Sequence, residues 1–361
     1  MSAIQVLVID DSALVRKILS EYVNSDPDLQ LVYAAPDPIF ALQRMEKVWP
    51  DVIVLDIEMP RMNGITFLQK IMRERPTPVV ICSSLTTLEA DTTLLAMQAG
   101  AVDIITKPQL QIKKFLEENR LQFVRSIKSA AHANLSALQN ELAKESGQKE
   151  TDVSKIDKGV LDVTQKPSSI FRTTQKVVAI GTSTGGTIAL EYILKSLSYD
   201  SPGIVIVQHM PEKFTASFAQ RLHSISQLTV KEAEDQDKIQ PGLALVAPGN
   251  QHMQVDTSGA TYFVRLSNGP RVNRHRPSVD VLFRSLAKKV GKNAVGVIMT
   301  GMGDDGALGM KDLFDSGAAT IAQDEKSSVV FGMPKEAIKR GGVAKILSLE
   351  KIPSEIIKYR A

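Results

Sequence analysis

The 361-residue sequence is poor in several things at once: one cysteine, one tryptophan, five histidines and only 5% aromatic residues. A single cysteine, Cys82, excludes an internal disulfide, and no Cys/His cluster has the spacing of a structural zinc site. Charge of one sign is also lacking. The 43 basic residues against 40 acidic ones leave a net charge of +3, too small to argue for nucleic acid or a membrane surface. No run of about 18 apolar residues passes without a charge or a breaker, so no membrane span is expected. The opening MSAIQVLVIDD has no basic stretch and reaches two aspartates by residue 11, unlike a signal peptide. A reducing, cytoplasmic setting is the expectation.

With 43% hydrophobic and 23% charged residues, the chain can bury sizeable cores. At about 150 residues per domain, its length predicts two domains and a remainder. Short apolar runs at Ile4 to Ile9, Leu29 to Ala34, Val52 to Leu55, Val79 to Cys82 and Val102 to Ile105 read as buried strands separated by helical patterns. Five βα units in about 125 residues predict a flavodoxin-like doubly wound domain, its functional groups at the C-terminal edge of a parallel sheet. A charged helical pattern then runs through Phe115, Phe123 and Ile127 to Leu142, and from Ala143 to Ser169 the chain is too polar to pack a core. Strand patterns resume at Val177 to Ile180, Gly203 to Val207, Leu243 to Val246, Tyr262 to Leu266, Ala294 to Met299 and Ala319 to Ala322. Turns at Pro248-Gly249-Asn250 and Asp256 to Gly259 suggest an antiparallel excursion and a mixed sheet. The expected organisation is α/β throughout: a first domain over 1–125, a polar, partly helical linker over 126–172, and a second, mostly parallel doubly wound domain over 173–361.

Asp10 and Asp11 follow the first strand and Asp56 ends the third, so three carboxylates should converge at one sheet edge and repel unless a cation neutralises them. A hard divalent ion such as Mg²⁺ fits. Ser83 and Lys107, just past the fourth and fifth strands, should project into the same pocket. Singly, each has a plain reading as an N-cap, a turn hydroxyl or a solvated charge. Five polar groups of suitable type at five strand ends are better explained as one site. The chain here resembles response-regulator receiver domains over roughly residues 1 to 125. The resemblance implies that Asp56 accepts a phosphoryl group from a histidine kinase, that Asp10, Asp11 and the Glu58 carbonyl join it as Mg²⁺ ligands, and that Ser83 and Lys107 contact the phosphoryl oxygens. The position that is aromatic in many receivers is Ile104 or Ile105 here. Lys107-Pro108 is expected to be cis or tightly turned.

In the second domain, strand Val177 to Ile180 runs into Gly181-Thr182-Ser183-Thr184-Gly185-Gly186 and then a helical pattern. One reading is an anion or dinucleotide site at a helix N-terminus, but the glycine spacing matches neither fingerprint, and Gln208-His209 stands where a ribose-binding acid would be expected. The other is GxSxG, which exposes a serine Oγ at a tight turn beside the positive end of a helix. Its plain alternative is a capping serine. Of five histidines, only His209 follows a buried strand; His132 and His223 fall in helical patterns and His252 and His275 in turns. A third strand opens into Thr300-Gly301-Met302-Gly303-Asp304-Asp305-Gly306, which supplies a carboxylate at the same edge. The plain reading of those aspartates is a helix N-cap.

The segments GTSTGG, VQHMP and TGMGDDGA are similar to those of the chemotaxis protein-glutamate methylesterase family, and with the receiver the resemblance covers the whole chain apart from the linker. It implies a serine hydrolase that removes methyl groups from glutamate methyl esters of chemoreceptors and commonly deamidates receptor glutamines. Ser183 would be the nucleophile, His209 the base, Asp305 the triad acid, and the Met302 N–H an oxyanion donor. Thr184 N–H, after the nucleophile, is a further donor candidate. Mg²⁺ would serve the receiver alone, with no metal needed for ester hydrolysis. Partners would be chemoreceptor helices as substrate and a histidine kinase as phosphodonor, with no nucleic acid and no membrane insertion. An esterase of another signalling pathway, or a phosphorylation-controlled interaction module without turnover, are the alternatives.

Overall fold

A computed structural model of the chain describes residues 3–84, 87–107, 113–147 and 175–360. Pro108 and most of the expected linker, from residue 148 on, lie outside the described residues. The first unit alternates strand and helix: β1 (Ile4–Ile9), α1 (Ala13–Asn24), β2 (Leu29–Ala35), α2 (Pro38–Met45), β3 (Val52–Leu55), α3 (Gly64–Glu74), β4 (Val79–Ser83), α4 (Thr87–Gln98), β5 (Asp103–Thr106) and α5 (Lys113–Ala131). Its strands pair in parallel in the order β2-β1-β3-β4-β5. All four β3 side chains are fully buried, as required of a central strand covered by helices on both faces. Helix α3 turns Phe67, Leu68, Ile71 and Met72 inward at helical spacing, and Asn63 caps its start by accepting from Ile65 N at 2.8 Å.

The expected boundary at 125/126 falls inside α5, whose last turns bury Ile127 and Ala130. A further helix, α6 (Leu135–Gly147), buries Leu138 in the same core.

The second unit begins with β6 (Val177–Thr182), α7 (Gly186–Lys195), β7 (Gly203–Gln208), α8 (Phe214–Ile225), β8 (Thr229–Glu232) and β9 (Leu243–Val246). After the hairpin strands β10 (His252–Ser258) and β11 (Thr261–Ser267) come α9 (Val279–Lys289), β12 (Ala294–Ile298), α10 (Ala307–Asp315), β13 (Ala319–Gln323), α11 (Met333–Lys339), β14 (Lys345–Leu347) and α12 (Ile352–Ile357). Seven strands form one sheet in the order β14-β13-β12-β6-β7-β9-β8, and all its pairings are parallel. The antiparallel excursion is present, but as the separate β10-β11 ladder, so the main sheet is not mixed and β9 belongs to it.

The order places β6 between β7 and β12. The chain leaves β6 for β7 on one side and returns later to β12 on the other, so a crevice opens at the C-terminal ends of these three strands. The two units touch beside that crevice. Val102 O, just before β5, accepts from Gly185 N at 3.2 Å, and Val329 O accepts from Asn134 N at 2.7 Å. Gln98 Nε2 donates to the buried Glu191 at 3.2 Å.

Candidate active site and acidic pocket

At the edge of the first sheet, one carboxylate oxygen from each of Asp10, Asp11 and Asp56 lies within 4.8 Å of the others, the acidic cluster typical of a Mg²⁺ site. The helix that follows is capped by Ser12, whose Oγ accepts from Val15 N at 3.4 Å, so neither aspartate serves as the N-cap. Lys107 Nζ reaches Asp56 Oδ2 at 2.8 Å and Asp10 Oδ2 at 3.3 Å. Burial pushes the Asp56 carboxyl up to about 6 against the pull of Lys107, and raises Asp10 in the same way. Burial works against the Lys107 ammonium too, but the two carboxylates outweigh it and raise its pKa. Three acids against one lysine leave an excess of two negative charges, which suits one divalent cation. Ser83 is buried at the end of β4, where its Oγ accepts from Thr93 Oγ1 at 2.9 Å. Glu58 lies two residues past Asp56 with its side chain exposed, which leaves its carbonyl as the group it can turn inward.

Ser183 follows β6 in a tight turn whose next residue but one, Gly185, has φ 76° and starts α7. A Cβ at Gly185 would also strike Val329 at 2.5 Å, so only glycine fits. Gly185 makes no side-chain cap, and Ser183 does not cap α7 either, which removes the plain reading of this serine. Across the crevice, Gly301 brings the loop after β12 against the serine: a Cβ there would lie 2.8 Å from Ser183 Cβ. Ser183 N donates to Thr300 O at 3.0 Å, which ties the two loops together.

His209, after β7, shares a small cavity with Ser183. Its Nε2 lies 2.8 Å from Asp305 Oδ2, while its Nδ1 is buried without a hydrogen-bond partner. Of the two adjacent aspartates, Asp304 is exposed and faces Arg340 at 3.4 Å, whereas Asp305 is 1% exposed. Helix α10 is preceded by Gly306 and has no side-chain cap, so Asp305 does not cap the helix it precedes. Instead its Oδ1 accepts from Ser278 Oγ at 2.7 Å, Asn273 Nδ2 at 2.9 Å and Asp280 N at 3.3 Å, and its Oδ2 from Val279 N at 2.7 Å. Burial raises the Asp305 carboxyl, but His209, Ser278 and Asn273 outweigh it and hold it well below the usual carboxylate range. The carboxylate is therefore a fixed anion that receives Nε2–H and leaves Nδ1 as the basic nitrogen. Two other histidines spend nitrogens on backbone: His223 Nδ1 accepts from Val230 N, and His252 Nδ1 from Ser278 N.

Sequence reasoning missed the residues that hold this pair. Asn273 and Ser278 sit in the loop before α9, far from Asp305 in sequence. Gln208 Nε2 donates to both Ser183 O at 2.9 Å and His209 O at 3.0 Å, clamping the two loops. His275, read only as a turn residue, stacks on His209 with ring centroids 3.7 Å apart and planes within 2°. The amides proposed for an oxyanion, Met302 N and Thr184 N, donate to no acceptor among the described residues.

The cavity beside Ser183 and His209 measures about 10 Å³, roughly the room one water needs. Met97, Val102, Asp103 and Ile104 of the first unit form one wall. Ser129 Oγ donates to Thr184 Oγ1 at 3.2 Å, and Thr184 Oγ1 donates to Asp103 Oδ2 at 3.4 Å. Burial pushes the Asp103 carboxyl up to about 6.

Residues 178–356 match a family model described as CheB methylesterase, and residues 6–118 match the response regulator receiver domain. A protein-glutamate methylesterase/protein-glutamine glutaminase of Shewanella denitrificans is 56% identical over 353 residues, covering 98% of this chain and 99% of that one. Another of that description from Pseudomonas syringae pv. tomato is 56% identical over 354 residues, with 98% of each chain covered. The crystal structure of the Thermotoga maritima CheB methylesterase catalytic domain superimposes with a TM-score of 0.50 at 40% identity, over 51% of this chain and 98% of that one.

Proposed function

The chain belongs to the CheB methylesterase family and is a protein-glutamate methylesterase and protein-glutamine glutaminase with a receiver domain; from this we propose that Ser183, His209 and Asp305 carry the hydrolysis. One observation carries the assignment: His209 is pinned through Nε2 to a buried carboxylate while Nδ1 stays unpartnered in the cavity it shares with Ser183.

The reaction is acyl transfer. Ser183 Oγ attacks the γ-carbonyl of a glutamyl methyl ester as His209 Nδ1 takes its proton. The tetrahedral oxyanion lies between Met302 N–H and Thr184 N–H, near the positive end of α7. His209 returns the proton to the departing methoxide, and methanol leaves. Water then attacks the glutamyl ester of Ser183, His209 accepts its proton, and protonation of Ser183 Oγ releases the glutamate. With glutamine, ammonia leaves in place of methanol. Asp305 keeps the tautomer and balances the imidazolium. Nε2 faces the acid, so Nδ1 is the nitrogen left to serve the nucleophile, the reverse of the usual triad orientation.

Asp56 is the proposed phosphoacceptor; the protein's proposed partners are a histidine kinase as phosphodonor and chemoreceptor helices as ester substrate. Asp10, Asp11, Asp56 and the Glu58 carbonyl would hold Mg²⁺, which supplies charge neutralisation for phosphoryl transfer. Lys107, and Ser83 once turned from Thr93, would meet the phosphoryl oxygens. The 1–125 unit is the receiver and the 173–361 unit the esterase. The wall contributed by Met97, Val102, Asp103 and Ile104 leaves no room for a receptor helix, which supports a receiver that restrains the esterase until phosphorylated. We place the activity in the cytoplasm, which suits a lone cysteine, Cys82, that is buried and unpaired.

The test is methanol release from methylated receptor, with and without a phosphodonor. Ser183→Ala is expected to abolish release in both conditions with unfolding unchanged. A wild-type rate in that variant would remove the serine from the mechanism.

A further inference from the structure

The hydrogen bond to Asp305 fixes one point of the His209 ring but not its plane. A ring held only at Nε2 can still pivot about the line from Cβ to that atom and carry Nδ1 away from the serine. The face of His209 is covered by a second imidazole, His275, parallel to it within 2° and 3.7 Å from it, centroid to centroid. We propose that His275 is a positioning residue of the hydrolase, whose flat neutral face sets the plane of the catalytic imidazole; the inference rests on His209 being the base.

Several observations converge on this role. Among the described residues the contact made by the His275 ring is this stack on His209, with no hydrogen bond from either ring nitrogen beside it. The loop that presents it is closed on itself by two backbone hydrogen bonds. Val272 N donates to His275 O at 3.1 Å and His275 N donates back to Val272 O at 2.9 Å. Between them Asn273 and Arg274 both take the left-handed backbone, at φ 49° and 71°. Such a conformation is costly for residues with side chains and persists where the surroundings over-determine it.

The same loop also grips the acid. Asn273 Nδ2 donates to Asp305 at 2.9 Å and to Asp280 at 2.7 Å, and Ser278 Oγ donates to Asp305 at 2.7 Å. Val272 to Ser278 therefore supports His209 twice, at its edge through Asp305 and on its face through His275. Chemistry requires the stacked partner to be uncharged, since His209 becomes an imidazolium during each half-reaction. Burial, then His209, hold the His275 pKa well below the ordinary imidazole value, in keeping with a neutral face.

The full-length protein with methylated receptor or a glutamyl methyl ester peptide tests the proposal. His275→Ala is expected to lower kcat about tenfold to hundredfold with KM within about twofold, the pattern of a mispositioned catalytic group. His275→Phe, which keeps a planar face and discards both nitrogens, should recover most of the loss. His275→Asn, polar without a ring face, should not, and it serves as the comparison if the alanine chain fails to fold. Wild-type kcat in His275→Ala or His275→Asn overturns the inference, and so does a Phe variant as slow as the Asn one, which would mean that the nitrogens act. His209→Ala separates the premise: if that variant keeps wild-type kcat, the base assignment itself fails, whereas an inactive His209→Ala beside a fully active His275→Asn sinks only the stacking role.

Discussion

Replacing Asp305 by Asn changes one atom, and the five donors around the carboxylate determine the consequence. Oδ1 accepts from Ser278, Asn273 and Asp280, and Oδ2 from Val279 N and His209. An amide NH₂ at the Oδ2 position meets the fixed N–H of Val279 and faces His209 as a donor. The imidazole must then accept at Nε2 and carry its proton on Nδ1, where it can no longer deprotonate Ser183. An NH₂ at the Oδ1 position meets Asn273 and Asp280 N–H, which leaves the tautomer intact but removes the charge that balances the imidazolium. Either placement strands at least one buried donor, a cost of about 1–3 kcal/mol. For the first, loss of the working tautomer in a triad is worth about 10⁴ in kcat. Asp305→Asn should thus lose about three to four decades of methanol release, with stability lower by roughly 1–3 kcal/mol. Single-turnover acylation with a glutamyl methyl ester peptide, beside urea unfolding, measures both. A kcat within tenfold of wild type would refute the reasoning, because no arrangement of that amide satisfies the five donors and keeps the imidazolium balanced.

Ser129→Ala removes the hydroxyl that donates to Thr184 across the domain contact. With about 1 kcal/mol lost from the closed form, basal esterase activity without phosphodonor should rise about two- to fivefold; an unchanged or lower basal rate counts against the restraint. Asp56 offers a test by pH. Its folded pKa, about 6, lies above the ordinary carboxylate value of 3.8, so its contribution to stability is fully present below about pH 4 and is lost as pH rises through 6. That difference is on the order of 3 kcal/mol at pH 7, offset in a variant by a poorer partner for Lys107. Asp56→Asn without Mg²⁺ should therefore be more stable than wild type by about 1–3 kcal/mol at pH 7.5, and the gain should vanish near pH 4.5. Fluorescence of Trp49, the sole tryptophan, reports the receiver alone, and a less stable variant at pH 7.5 would contradict the sign.

Strand pattern was legible wherever a strand is buried on both faces. β1, β3 and β9 occupy the expected residues, and β5 is displaced by one. β8 and β14 were missed because they are edge strands: Thr229–Glu232 and Lys345–Leu347 carry exposed or half-exposed residues and no apolar run. The turn at Pro248-Gly249-Asn250 is present but joins β9 to a strand of another ladder, and Asp256 to Ser258 belong to β10, whose turn is Gly259-Ala260; pairing partners depend on the tertiary fold, and β9 joined the parallel sheet. For the site, each strand-end group announced itself by following an apolar run; between the two aspartates the resemblance chose Asp305, and Asp305 is the buried one. The supports had no such signal. Asn273, His275 and Ser278 lie in an irregular loop whose closeness to His209 arises from the crossing of α9 beneath β6, where a Cβ at Gly181 would lie 2.2 Å from Val279.

β5 is four residues long, about 13 Å at the rise of an extended chain. Lys107, just beyond one end, pairs with Asp56, while Val102 and Asp103 at the other end hold the nucleophile turn. If Asp56 is the phosphoacceptor and Ser183 the nucleophile, as proposed, signal input and catalytic output are spliced onto one short stretch of backbone, which limits how modular the two domains can be in evolution. A receiver borrowed from another protein would bring the phosphorylation chemistry with it, yet would control this esterase only if residues 102–104 came along unchanged. Recombination that treats the domains as interchangeable beads would yield a phosphorylated receiver with nothing to say to its enzyme.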